Sequence, residues 1–174
     1  MSGLRNLPHG VGGVLHGVGA EANCHRLKED LVVPEPIAIP QEVRALLDAP
    51  NYVHLSTLRV DGSPRNHVVW VGLEGDRVLV CTPEWTWKAR DMLRDPRVSL
   101  SVTDMDNPYR MAALQGRVVE VRDDAECEYM NPIAVKYTGR PWPSPGADRR
   151  CFVVAVHRAG QVTLGFRHAP AAAG

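Results

Sequence analysis

The sequence lacks the features that mark several specialised protein classes. Its 174 residues hold 20 Lys plus Arg and 20 Asp plus Glu, so no excess charge favours a nucleic-acid partner. No apolar run approaches the roughly 20 residues that span a bilayer. The hydrophobic content of 44% is typical of a globular domain. We therefore expect a cytoplasmic protein with no membrane span and no nucleic-acid partner.

Motifs for metal, redox and nucleotide sites are also missing. The four cysteines, Cys24, Cys81, Cys127 and Cys151, form no CxxC or CxH pair, which predicts free thiols and no metal site. There is no GxGxxG, no GxxxxGK[ST] and no alternation of strands and helices. These absences argue against Rossmann and P-loop proteins.

Residues 1–36 differ in composition from the rest of the chain. They contain HGVG at 9–12 and again at 16–19, followed by a proline-bearing segment. This pattern predicts a flexible N-terminal extension, with a docked functional arm as the alternative. Residues 37–174 are long enough for one well-buried domain.

From Pro40 onward, short β-branched segments alternate with turn residues. A helix is predicted over 40–50, with Pro40 in its first turn, and a second over 86–95. A third should begin at a capping box of Asp123 and Glu126, restart at Asn131 and end at Gly139. The predicted strands cover 52–60, 65–73, 77–82, 97–104, 109–121, 149–158 and 161–166.

This order of elements predicts a small, mainly β antiparallel barrel with peripheral helices. Gly116 interrupts a long strand and indicates a bulge of the kind that bends barrel walls. The last two strands, separated by Ala159-Gly160-Gln161, are expected to form a hairpin.

The second predicted helix contains an unusual lysine. Lys88 falls in its first turn, where a cation is unfavourable by roughly 0.3 to 1 kcal/mol. With Thr82, Thr86 and Arg90 it forms a set of donors and cations that would suit a phosphate at a helix N-terminus. The alternative is that Glu84 and Asp91 neutralise Lys88 and Arg90 on a solvated face.

Two tryptophans flank this candidate phosphate site. Trp85 and Trp87 stand on either side of Thr86, where a flat heteroaromatic ring could pack. Core filling or a dimer interface is the alternative, and Trp70 is assigned to the core.

The segment Thr86–Ser99, TWKARDMLRDPRVS, together with the preceding DGSP turn, resembles a known family. It is similar to the split β-barrel flavin and deazaflavin oxidoreductases related to pyridoxamine 5′-phosphate oxidase, over roughly residues 40–166. The resemblance implies a six- to seven-stranded FMN-binding split barrel. It also implies a homodimer with two cofactor sites at the subunit interface.

The resemblance also assigns residues to that site. Thr82, Thr86 and Lys88 would hold the cofactor phosphate, with Arg90 as a further candidate. Asn66 and Val68 would lie under the ring, and the partner subunit would contribute Tyr109 and Met111. Arg140, Arg149 and Arg150 could meet an anionic cofactor tail, or be ordinary exposed arginines.

Two departures favour one branch of the family. Arginines that grip the FMN phosphate in the phosphate-vitamin oxidases are replaced by Asn66 and Trp87. The sequence therefore looks closer to the branch that uses the deazaflavin coenzyme F420, an actinobacterial reductase being the natural expectation. Such an enzyme transfers a hydride to an electron-poor C=C or C=N bond of a small organic substrate. The alternatives are an FMN-dependent oxidoreductase and a non-catalytic binder of flavin, deazaflavin or haem.

Overall fold

The computed structural model describes residues 34–166, which form one seven-stranded antiparallel sheet and three helices. Its strand order is β2-β1-β5-β6-β7-β4-β3. The helices are α1 (Gln41–Asp48), α2 (Trp87–Arg94) and α3 (Met130–Thr138). The strands are β1 (Val53–Leu58), β2 (Pro64–Val69), β3 (Gly72–Glu74), β4 (Arg77–Pro83), β5 (Arg97–Thr103), β6 (Arg110–Asp123) and β7 (Arg149–Thr163). The predicted mainly β split barrel with peripheral helices is confirmed.

The main core lies inside the curved sheet and follows from the period of two along each strand. In β5 the residues Val98, Leu100 and Val102 are buried while their neighbours in the strand are exposed. Helix α1 adds Val43, Leu46 and Leu47 to the same core, as its apolar spacing predicts.

A second, smaller core lies on the outer side of β4 and β7. There α3 packs Met130, Ile133 and Ala134 against Leu79, Cys151 and Val153. Both faces of β4 are therefore covered, which explains its nearly continuous apolar sequence. This second core supports the wall of the cleft described below.

Gly116 marks a real irregularity in the sheet. The pairing of β6 with β7 shifts register between Gln115 and Gly116. A Cβ atom on Gly116 would lie 2.7 Å from Val154 Cγ1 and 2.8 Å from the Ala155 carbonyl oxygen. The two strands can approach this closely only because residue 116 has no side chain. The predicted bulge is confirmed.

Two strand predictions are wrong. The segment 65–73 is not one strand, because Trp70 and Val71 separate β2 from β3 at opposite edges of the sheet. The expected final hairpin is instead the single strand β7, since Ala159 and Gly160 pair with Leu114 and Ala113 of β6. Pairing with β6 therefore selects the strand conformation for residues whose local sequence would also fit a turn.

Two helix details also differ from prediction. Pro40 precedes α1 as its N-cap residue. Helix α3 begins only at Met130, so Asn131 lies inside its first turn and the capping box at Asp123 starts no helix. Gly139 ends α3 with φ 73°, as predicted.

Residues 1–33 of the predicted extension lie outside the described residues, so the division of the chain at residue 36 stays a prediction.

Candidate functional site

A cleft of about 380 Å³ opens where β2, β4 and α2 meet. Five residues predicted for the cofactor site line it. They are Val68, Thr82, Trp85, Thr86 and Lys88. The structure thus brings together side chains from the end of one strand, the end of another and the first turn of a helix.

Thr86 organises the start of α2 beside this cleft. Its backbone is extended, and its hydroxyl accepts a hydrogen bond from the Ala89 N–H at 3.4 Å, as an N-cap should. The same hydroxyl donates to the Pro83 carbonyl at 2.9 Å and lies 3.1 Å from the hydroxyl of buried Thr82. The predicted cap is confirmed, and it fixes the helix to the end of β4.

Lys88 is a half-buried cation without a counter-ion in the described part of the chain. No carboxylate lies within 4.0 Å of its ammonium there, and burial lowers its pKa below the ordinary value of 10.5. Glu84 pairs with Arg150 at 3.1 Å, and Asp91 pairs with Arg65 at 3.3 Å. The alternative in which Glu84 and Asp91 neutralise Lys88 is therefore wrong.

Aromatic side chains form the other side of the cleft. Tyr52, Trp70 and Trp142 line it, with Tyr137 stacked behind Trp70 at a centroid distance of 5.0 Å. We call these four residues the aromatic wall. Trp142 meets Trp70 edge to face at 6.0 Å, and Trp85 faces the cleft with 65% of its surface exposed. The cleft thus joins a basic end to a broad apolar surface.

Trp70 therefore has two roles. It packs against the second core, as its assignment to the core predicts, and it also borders the cleft.

Four other predicted residues lie outside the cleft. Asn66 is on the same exposed face of β2 as Val68, and its side-chain oxygen lies 3.4 Å from the Ser56 hydroxyl. Arg90 lies over the Trp87 ring at 5.6 Å, beside a different surface pocket. Tyr109 packs on Phe166 at 5.3 Å, and Met111 pairs with Thr103 and Val162 in the sheet.

Two titratable groups near the cleft, His67 and Cys81, have pKa shifts that favour their neutral forms. Burial, and then the nearby Lys88 and Arg65 charges, lower the pKa of His67 below 6.5. A hydrogen bond with the Cys151 thiol, followed by burial, raises the pKa of the Cys81 thiol. A neutral imidazole and a protonated thiol are a poor general acid and a poor nucleophile. Cys81, Cys127 and Cys151 are free thiols, as predicted, while Cys24 lies outside the described residues.

Sequence reasoning missed several residues of the cleft. Tyr52, Cys81, Met130, Trp142 and Arg149 all line it. The alternative in which Arg149 is an ordinary exposed arginine is wrong, because it is 4% exposed and lies over the Trp142 ring at 5.0 Å. The one available signal was the proline-rich segment RPWPSPGA at 140–147, which contains Trp142 and directly precedes β7.

Comparisons with known proteins agree with this architecture. Residues 39–163 match the pyridoxamine 5′-phosphate oxidase family. A solved F420 reductase is 30% identical, with 70% of this chain and 98% of that chain covered and a TM-score of 0.65. A conserved hypothetical protein from Mycobacterium tuberculosis is 19% identical, with 82% and 98% covered and a TM-score of 0.61.

A haem-binding protein from Mycobacterium smegmatis is 22% identical, with 76% of this chain and 58% of that chain covered and a TM-score of 0.54. At such identity the likeness extends to the fold alone. No curated protein sequence matches significantly.

Residues 34–166 contain no group of three or more His, Cys, Asp or Glu placed to bind a metal ion. None of the helices in this region has the length and apolar character needed to cross a membrane.

Proposed function

The chain belongs to the pyridoxamine 5′-phosphate oxidase family, and on that basis we propose that it is an oxidoreductase that uses coenzyme F420. Its reaction would be the reduction of an electron-poor C=C or C=N bond in a small organic substrate. The observation that carries this proposal is Lys88, a half-buried cation without a carboxylate partner among the described residues, at the N-terminus of α2 inside the cleft.

The residues present fit the phosphate of such a cofactor. The first turn of α2 contains no acidic residue, so its unpaired N–H groups and Lys88 together favour an anion. Thr86 and Thr82 add hydroxyl groups beside that turn. An arriving phosphate would convert an unfavourable charge placement into an attraction.

The remaining cleft suits a flat ring. Val68 on the exposed face of β2 and Trp85 at the cleft edge offer apolar surfaces 62% and 65% exposed. Asn66 and Trp87 stand where FMN-dependent oxidases of the family carry arginines, which favours the deazaflavin over FMN. The 30% identity to an F420 reductase supports the same choice.

When bound, a reduced deazaflavin supplies the hydride, and the chain supplies binding and orientation. Lys88 would anchor the phosphate, while Val68 and the aromatic wall would limit the positions of ring and substrate and exclude water. The lowered pKa of His67 and the raised pKa of Cys81 make these two groups a poor acid–base pair, so we expect solvent to deliver the proton.

We further propose a homodimer that completes the site. On the exposed face of β1, β5 and β6, Ser101 pairs with His54 and Ala113 and lies between Ser99 and Thr103 along β5, while the charged Arg97 stands at the start of that strand. A second copy could pack closely on this face. Tyr109 and Met111, which lie away from the cleft of their own chain, would then be available to the partner's cleft.

Titration with two cofactors tests the proposed function. Because Trp85, Trp70 and Trp142 border the cleft, tryptophan fluorescence should be quenched by coenzyme F420 and much less by FMN. Consumption of the reduced coenzyme with a test enone or quinone then separates an enzyme from a cofactor carrier. Sedimentation should give twice the chain mass of 19.1 kDa, and Ser101→Arg should give single chains.

Three results would contradict these proposals. Tight binding of FMN, or a yellow protein after purification, would favour the FMN-dependent alternative. Coenzyme binding without turnover of any acceptor would favour the non-catalytic binder. A wild-type protein that sediments as a single chain would exclude the proposed dimer.

A further inference from the structure

Arg149 is a buried cation in the cleft that the proposed phosphate site does not use. It is 4% exposed and lines the cleft from the start of β7. Its backbone is fixed on both sides, because its N–H donates to the Gly146 carbonyl at 3.0 Å and its carbonyl accepts from the Asp124 N–H at 3.2 Å. Its position in the cleft wall is therefore built into the sheet.

The guanidinium group of Arg149 rests on a fixed aromatic platform. It lies 5.0 Å from the Trp142 ring. Trp142 is itself held by hydrogen bonds from its backbone N–H to the Asn131 side chain and from its indole N–H to the Ser144 carbonyl, each 3.0 Å long. The planar cation is thus oriented before any ligand arrives.

The charge on Arg149 has no counter-ion at contact distance. Within residues 34–166 no carboxylate lies within 4.0 Å of it, and its buried Nε–H has no hydrogen-bond partner. The adjacent Arg150, by contrast, pairs with Glu84 at 3.1 Å and Asp123 at 3.0 Å. Glu84 and Asp123 are therefore engaged by the half-buried Arg150 and not by the buried Arg149.

Asp124 is the buried acid that could have paired with Arg149. Its Oδ1 accepts from the Tyr129 N–H at 2.9 Å, and its Oδ2 is buried without a hydrogen-bond partner. Its carboxylate nevertheless stays beyond salt-bridge distance from Arg149. The guanidinium hydrogen-bonds the Cys127 thiol, but it has no carboxylate partner among residues 34–166. A buried cation without a counter-ion is unfavourable, so the site is suited to an anion that enters through the cleft.

We propose that Arg149 binds the carboxylate of a planar, conjugated or aromatic acid in the cleft. The fork of the guanidinium matches a carboxylate through two parallel hydrogen bonds, and Trp85, Trp142 and Met130 supply the apolar contacts that the rest of such a molecule needs. The acid is a substrate, and the anionic cofactor tail is the competing occupant. This inference concerns the same cleft as the proposed function, but its evidence is the environment of Arg149 and not that of Lys88.

Calorimetric titration of the cofactor-free protein with 2-naphthoate and with the neutral 2-naphthamide tests this inference. Wild type should bind the carboxylate at least tenfold more tightly than the amide. Arg149→Met should reduce that ratio to near one, and Arg149→Lys should restore only part of it. Arg140→Met, which removes an exposed arginine beside the same Trp142, is the matched control and should keep the wild-type ratio.

A second titration tests the competing occupant. Arg149→Met should bind coenzyme F420 and FMN as wild type does while the naphthoate preference is lost, as expected if the occupant is a substrate. If the variant instead weakens coenzyme F420 tenfold and leaves FMN unchanged, the cofactor tail is the occupant, because FMN carries no carboxylate, and the inference is overturned.

The inference is also overturned if wild type shows no preference for naphthoate over naphthamide, or if Arg149→Met keeps the wild-type preference. If Arg149→Met does not fold, the wild-type ratio and Arg149→Lys decide. Failure of the proposed function would appear instead as a wild-type protein that binds neither cofactor, a result that leaves the naphthoate comparison intact.

Discussion

Replacing Lys88 with methionine should change stability and binding in opposite directions. Methionine keeps the length and packing of the lysine stem but removes the charge from the positive end of α2. The helix dipole alone makes that charge unfavourable by about 0.3 to 1 kcal/mol, and burial, which lowers the Lys88 pKa, adds to the cost. The free energy of unfolding of the cofactor-free variant should therefore rise by about 0.5 kcal/mol.

Cofactor binding should weaken in the same variant. A hydrogen bond to a charged group contributes about 1.5 to 3 kcal/mol, which corresponds to roughly a 10- to 150-fold loss of affinity for a phosphate-bearing cofactor. Urea denaturation measures the first effect and fluorescence titration the second. Lys88→Arg is the control, because it retains the charge and should lose only a few-fold in affinity.

One pattern of results would refute the reasoning about Lys88. If Lys88→Met lowers the free energy of unfolding and leaves cofactor affinity unchanged, the lysine has a structural partner and no phosphate. The sign of the change in the free energy of unfolding therefore tests whether the charge of Lys88 is unfavourable in the cofactor-free protein.

Three further predictions concern the scaffold. Gly116→Ala should lower the free energy of unfolding by about 1 to 3 kcal/mol because its Cβ would overlap Val154, while Gly160→Ala in the same pair of strands has open space and should change it by less than about 0.5 kcal/mol; urea midpoints decide. Burial lowers the pKa of Lys136 to about 8, so the unfolded chain binds more protons between pH 8 and 10; wild-type stability should rise with pH there, and Lys136→Met should flatten the rise in urea midpoints measured across that range. Asp91→Ala removes a 3%-exposed carboxylate shared by two arginines and should cost about 3 kcal/mol in thermal or urea unfolding; a loss below about 1 kcal/mol would contradict that view of the ion pairs.

Asp91 also connects the scaffold to the cleft. It accepts a hydrogen bond from buried Thr57 on β1 at 3.0 Å and pairs with Arg65 on β2 and Arg94 in its own helix. These contacts fix the orientation of α2 relative to β1 and β2. The position of Lys88 therefore depends on the buried ion pairs of Asp91, which no local pattern in the sequence indicates.

Features set by local chemistry were predictable from the sequence. Thr86 caps α2 and Gly139 ends α3. Each of these depends on the backbone conformation or hydrogen bonding of a few consecutive residues. The DGSP turn is of the same kind, with Gly62 at φ 80° and Asp61 accepting hydrogen bonds from Ser63.

Features that depend on distant partners were not predictable in this way. The residues Ala159-Gly160-Gln161 look like a hairpin turn, but β6 is long enough to pair with them, and they continue β7. Trp70 and Val71 look like strand residues, yet the chain passes there from one edge of the sheet to the other. In both places the local pattern is compatible with two conformations, and pairing across the sheet selects one.

The sequence by itself determined the barrel class and the helix that carries Lys88, because these follow from apolar periodicity and capping. Only the tertiary structure decided that Glu84 and Asp91 pair with arginines, which leaves Lys88 without a carboxylate partner within residues 34–166, and that Arg149 is buried against Trp142. Burial and ion pairing depend on residues far apart in the chain. The second cation of the cleft becomes visible only when β7, α3 and the loop between them are packed together.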